Sequence, residues 1–113
     1  MSSASNKPTV ANLVLDNKVV VFSKSYCPFC HRVKGLFEHI RTPFTIIELD
    51  QEYAGSSPEL MAELKRITGI RTVPQVFING RFFGDSSTTM AKYENKQLFD
   101  ALKEAGVEQN AGS

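Results

Sequence analysis

Asn79-Gly80 sits between two short apolar runs, Gln75–Ile78 and Arg81–Phe83, and constrains the fold more than any other feature of the chain. Asn and Gly tolerate the positive φ angles of a two-residue turn, so the two runs are predicted to pair antiparallel as a hairpin. Upstream the pattern differs. Val19–Phe22 is a β-branched run suited to a strand covered on both faces, and Phe44–Leu49 reads as a second strand. Between them Val33, Leu36, Phe37 and Ile40 recur at i, i+3, i+4 and i+7, which predicts a helix over Cys27 to Ile40. A strand–helix–strand unit pairs parallel. The sheet must therefore be mixed.

Further helices surround this frame. Pro8–Leu15 carries Val10, Leu13 and Val14 at helical spacing. Thr42-Pro43 is expected to end the long helix, because proline disfavours helical geometry in the residue before it. Ser57-Pro58-Glu59 supplies a serine cap, a first-turn proline and an early acid. Leu60, Leu64 and Ile67 form the buried stripe of that helix, with Gly69 as its C-terminal cap. Ser86–Tyr93 and Lys96–Ala105 close the chain, and Gly106 follows. The predicted order is α, β-α-β, α, β-β, α, α. That is an α/β architecture of thioredoxin-like type, with about four strands in a mixed sheet and helices on both faces. One domain is expected over residues 8–106, with tails at 1–7 and 107–113.

Charge narrows the partners. The 13 Lys and Arg nearly balance 12 Asp and Glu, and the two signs are interleaved, so no basic stripe for nucleic acid is expected. No apolar run approaches the ~20 residues of a membrane span. Met1 to Lys7 lacks a signal-like apolar stretch. Two cysteines close together cannot staple a secreted mini-protein. A monomer in the reducing cytoplasm is expected.

Those two cysteines, Cys27 and Cys30, enclose Pro28-Phe29 directly after the first strand. Cys-x-x-Cys between a strand and a helix suits a dithiol that opens and closes as a disulfide. Only the thiolate attacks a disulfide. Cys27 falls at the helix N-terminus, where free N–H groups and the helix dipole favour negative charge, and Lys24 adds a nearby cation. Cys30 lies one turn deeper and is the expected resolving partner. Three rival readings compete. Two inert core cysteines seldom share this spacing at such a junction. A zinc site needs four ligands, and only His31 and His39 could join the pair. Cys27-Pro28-Phe29-Cys30-His31 also fits the haem attachment pattern, which needs an export context and a distal ligand.

Lys24-Ser25-Tyr26-Cys27-Pro28-Phe29-Cys30 resembles the active-site segment of the glutaredoxins, with Phe29 in place of the usual tyrosine. Thr68 to Ile78, which includes Thr72-Val73-Pro74, resembles the family's second segment, and the likeness runs from about Pro8 to Ala105. It implies a cis peptide before Pro74, with Val73 offering its backbone to glutathione in β fashion. It implies glutathione as co-substrate, glutathionylated or disulfide-containing proteins as partners, and no metal. Lys24 and Arg71 are assigned to the glycine carboxylate of glutathione, and Phe29, Thr72, Pro74, Ser86 and Ser87 complete the groove.

One segment departs from the family. Where Gly-Gly-x-Asp-Asp is usual, this chain has Gly84-Asp85-Ser86-Ser87-Thr88, so Ser87 replaces the first aspartate. The backbone amides there still suit the γ-glutamyl carboxylate. The anion for the ligand's ammonium is lost, and Asp85 is the candidate replacement; the plain alternative makes Ser86, Ser87 and Thr88 helix caps. This variant also resembles the glutaredoxin domain of thioredoxin-glutathione reductases. The implied activity is glutathione-dependent thiol-disulfide exchange. A thioredoxin would resemble a Cys-Gly-Pro-Cys centre flanked by tryptophan, and the chain has no Trp. A [2Fe-2S] carrier is the alternative from another class, which Pro28 disfavours.

Overall fold

In the computed structural model, which describes residues 7–107, five helices pack on one four-stranded sheet. The expected tails at 1–7 and 107–113 lie outside the described residues apart from Lys7 and Val107. The elements run α1 Val10–Asp16, β1 Val19–Ser23, α2 Pro28–His39, β2 Thr45–Glu48, α3 Ser57–Thr68, β3 Gln75–Ile78, β4 Arg81–Gly84, α4 Ser86–Glu94 and α5 Gln97–Glu104. The strand order is β2-β1-β3-β4. β1 pairs parallel with β2 and antiparallel with β3, and β3 pairs antiparallel with β4. The mixed, thioredoxin-like sheet is as the sequence predicted. Asn79 and Gly80 take φ 57° and 80°, the turn geometry that the hairpin required.

Period-two alternation divides the core. Val19 and Val21 of β1 face Val33, Leu36 and Phe37 of α2 and Leu98 and Leu102 of α5. Val20 and Phe22 face Val10 and Val14 of α1 and Leu60 and Leu64 of α3. Every residue of β1 and of β3 is buried, which explains why neither run alternates with polar residues.

Beside shifts of one or two residues at other element ends, three local features differ from expectation. α2 stops at His39, ahead of Pro43, because Arg41 turns left-handed at φ 57°. The Thr42 N–H then reaches Phe37 O at 3.0 Å and the Arg41 N–H reaches Glu38 O at 3.1 Å, a Schellman closure without its usual glycine. Ser57 does not cap α3 but is its first residue. A 3-10 turn, Ala54–Ser56, runs straight into the helix and accepts the Ser57 N–H at Ala54 O, so no side-chain cap is needed. Ile67 leaves the buried stripe: it is 48% exposed and belongs to neither apolar cluster. Gly69 ends α3 in the left-handed region, as expected.

Candidate active site

β1 and β3 run antiparallel with Phe22 opposite Gln75. The chain leaving β1 therefore meets the chain entering β3 at one end of the sheet. Cys27 caps α2 from the first of these segments, and Val73 and Pro74 belong to the second. Cys27 Sγ lies 3.8 Å from Val73 O and accepts the Cys30 N–H at 3.3 Å. The Val73–Pro74 peptide is cis, as the resemblance implied. Pro28 occupies the first helical turn, where its missing N–H is no loss.

The two thiols differ in surroundings. Both are free; Cys27 is half-buried, and Cys30 is fully buried among the residues of the core. Burial pushes the Cys30 thiol up to about 11, and its contact with the Cys27 side chain acts in the same direction. A buried thiol that holds its proton is a poor nucleophile but a competent second reactant once a neighbouring sulfur carries a disulfide.

A cleft of about 510 Å³ opens beside the pair. It is lined by Phe29 and Arg32 of α2, by Thr72, Val73 and Pro74, and by Asp85, Ser86 and Ser87 at the start of α4. Met90, Ala91 and Glu94, further along α4, line it as well. Of the residues that the sequence pointed to, Phe29, Thr72, Val73, Pro74, Ser86 and Ser87 are thus brought together. Lys24 and Arg71 do not line the cleft. Lys24 lies in the turn before Cys27, with its carbonyl accepting the Cys27 N–H at 3.1 Å, and Arg71 is exposed in the loop ahead of Val73. The cation that does line the cleft is Arg32, stacked 5.4 Å from the Phe29 ring centroid. Its position one turn beyond Pro28 was a signal that the sequence carried: it follows Phe29 at i, i+3 on the same helix face.

The segment that departs from the family also resolves. Asp85, rather than Ser86, Ser87 or Thr88, caps α4: its Oδ1 accepts the Thr88 N–H at 2.9 Å. That N–H holds the Asp85 carboxyl below its ordinary range. Ser87 is exposed, and its hydroxyl donates to Asp85 Oδ1 at 3.3 Å. Gly84 is needed for close approach, because a Cβ there would stand 2.8 Å from Thr88 Cβ.

Two polar clamps escaped the sequence reading. Gln75 is fully buried, and its Nε2 donates to Ile70 O at 2.9 Å and Thr72 O at 3.0 Å, pinning the loop before Pro74. Asp50, just after β2, accepts the Ser25 N–H at 2.9 Å and the Ser25 hydroxyl, and these bonds hold its carboxyl down at about 2. Neither lies in a periodic pattern, and each acts on a loop that only the fold brings near.

The glutaredoxin family model matches residues 19–83 of this chain. The chain is 50% identical over 107 residues to glutaredoxin-C6 of Oryza sativa subsp. japonica, a match spanning 95% of this chain and 90% of that protein. Among solved structures it is similar to a buckwheat glutaredoxin–glutathione complex, with TM-score 0.78 and 44% identity over 85% of this chain and 86% of the other. It is similar also to the holo form of glutaredoxin C1 from Populus tremula x tremuloides, with TM-score 0.78 and 38% identity over 85% and 93% of the two chains.

Proposed function

The chain is a member of the glutaredoxin family of glutathione-dependent thiol oxidoreductases, and from that membership we propose that it reduces protein–glutathione mixed disulfides and protein disulfides through Cys27. The observation that carries this reading is the asymmetry of the pair: a half-buried Cys27 sulfur at a helix N-terminus beside the cleft, and a fully buried Cys30 behind it.

The Cys27 thiolate attacks the glutathione sulfur of a mixed disulfide. A bond forms between Cys27 and glutathione, and the substrate cysteine leaves as a thiolate that takes up a proton. A second glutathione, as thiolate, attacks the glutathione sulfur of the adduct; oxidised glutathione departs and Cys27 leaves as thiolate. With a protein disulfide, Cys27 is instead joined to the substrate, and Cys30 attacks Cys27 to release it. The Cys27–Cys30 disulfide so formed is reduced by two glutathiones. Cys30 loses its proton as it attacks.

The cleft supports a glutathione pose in which Val73 offers its backbone and Arg32 meets a carboxylate, with Lys24 and Arg71 acting at longer range. The amides opening α4 receive the other carboxylate, with Ser86 and Ser87 beside it. The assignment extends to one domain over residues 8–106, acting as a monomer in a reducing cytoplasm.

The test is steady-state turnover of a glutathionylated peptide with glutathione as reductant. Cys27→Ser is expected to abolish turnover, and Cys30→Ser to retain it. Equal loss in both variants would count against this mechanism.

A further inference from the structure

Ser25 lies two residues before Cys27, inside the turn that the Cys27 N–H closes onto Lys24 O at 3.1 Å. Each of its polar groups is taken by another element. Its N–H donates to Asp50 Oδ1 at 2.9 Å, and its hydroxyl donates to Asp50 Oδ2. Its carbonyl, which can only accept, lies 2.8 Å from His31 Nε2, so that ring nitrogen carries the proton. Gln51 Nε2 lies 3.3 Å from both Ser25 Oγ and Asp50 Oδ2 and steadies the pair. No Lys or Arg forms an ion pair with Asp50 among the described residues. The carboxylate is committed to Ser25, with only the neighbouring Gln51 amide as a further donor among the described residues.

Such a commitment on an accessible carboxylate needs a reason. Asp50 follows β2, which is fixed to the sheet, and the Leu49 N–H extends the ladder to Ser23 O at 2.8 Å. Asp50 therefore ties the thiol-bearing turn to the sheet, while His31 ties it to α2. Reaction at sulfur needs the attacking atom aligned with the disulfide, and small displacements are costly. We propose that Asp50, through Ser25, is a positioning residue that holds Cys27 Sγ opposite Val73 O in the geometry of attack. This rests on the reading of Cys27 as nucleophile. Asp50 lies outside the lining of the cleft, so its effect falls on the maximal rate rather than on substrate binding.

The experiment is single-turnover reduction of a fluorescent glutathionylated peptide by the reduced protein, followed against peptide concentration. Asp50→Ala is expected to lower the maximal rate about tenfold and leave the half-saturating concentration within about twofold of wild type. Asp50→Asn is expected to recover to within about threefold of wild type, because its carbonyl still accepts the Ser25 N–H and its amide can donate to the hydroxyl. Ser25→Ala, which loses only the hydroxyl arm, is expected to fall about threefold. A wild-type maximal rate in folded Asp50→Ala would overturn the proposal, as would a loss confined to the half-saturating concentration. Should Asp50→Ala not fold, a wild-type maximal rate in Ser25→Ala would overturn it. Cys27→Ser run alongside separates the two readings: turnover in that variant defeats the nucleophile assignment itself, whatever Asp50 does.

Discussion

At the scale of single residues, the proposed chemistry rests on two sulfurs that a sequence reader sees at once and a structure makes unequal. Cys30 has its ionisation raised by burial to about 11. Its native state therefore holds a proton more tightly than the unfolded chain does. The stability linked to that proton is complete below about pH 9 and is lost as pH rises toward about 11. In the native protein at pH 8, iodoacetamide is expected to label one thiol rapidly, identified as Cys27 by peptide mass, and both in urea. Equal native labelling of the two would refute the asymmetry. The cations divide in the same way. Arg32 lines the cleft and Arg71 does not, so Arg32→Ala is expected to raise KM for a glutathionylated peptide about fivefold, the loss of one charge-assisted contact at a partly solvated site. Arg71→Ala is expected to change it less than twofold, and the reverse order would return the carboxylate to Arg71.

At the scale of elements, the strands, helix cores and hairpin were legible because each is written in a period or a turn dipeptide. Asn79-Gly80 fixed the antiparallel pair, and the stripe from Val33 to Ile40 fixed the face of α2. What was not legible lay at element ends and in loops. Arg41 gives no sign in sequence that it will turn left-handed, and Pro43 offered a more obvious stop. Ile67 has the right spacing but is left outside both apolar clusters, and spacing alone does not tell how far along a helix its neighbours extend. Within the site, Cys27, Phe29 and the segment around Pro74 were readable from motif, whereas Asp50 and Gln75 act through polar contacts with no period. The Schellman end of α2 carries its own prediction. A non-glycine residue in the left-handed region costs about 1 kcal/mol, so Arg41→Gly is expected to stabilise the protein by about 0.5–1 kcal/mol in urea unfolding. A loss of stability would show that the Arg41 side chain contributes more than its backbone costs.

At the scale of the whole molecule, the candidate site gathers where β1 ends and β3 begins, because those neighbours are antiparallel. The thiol turn, the Pro74 loop and the start of α4 come from distant parts of the chain, yet each is anchored to a strand or helix of the same sheet. The sheet itself is a partition. Residues on its two faces belong to separate apolar clusters, with Leu98 and Leu102 on one side and Ile47 and Leu60 on the other. A partition of this kind governs how substitutions combine. Ile47→Val is expected to cost about 0.5–1.5 kcal/mol and Leu98→Ala about 2–5 kcal/mol. Their double variant should lose the sum to within about 0.5 kcal/mol, whereas Leu98→Ala with Leu102→Ala should depart from additivity because the two share a cavity. Urea unfolding of these four variants and of Leu102→Ala alone measures this. For a chain that must keep one end of its sheet unchanged, the partition means that the side chains on one face can be exchanged without changing which side chains fit the other, while both faces draw on the single stability of the domain.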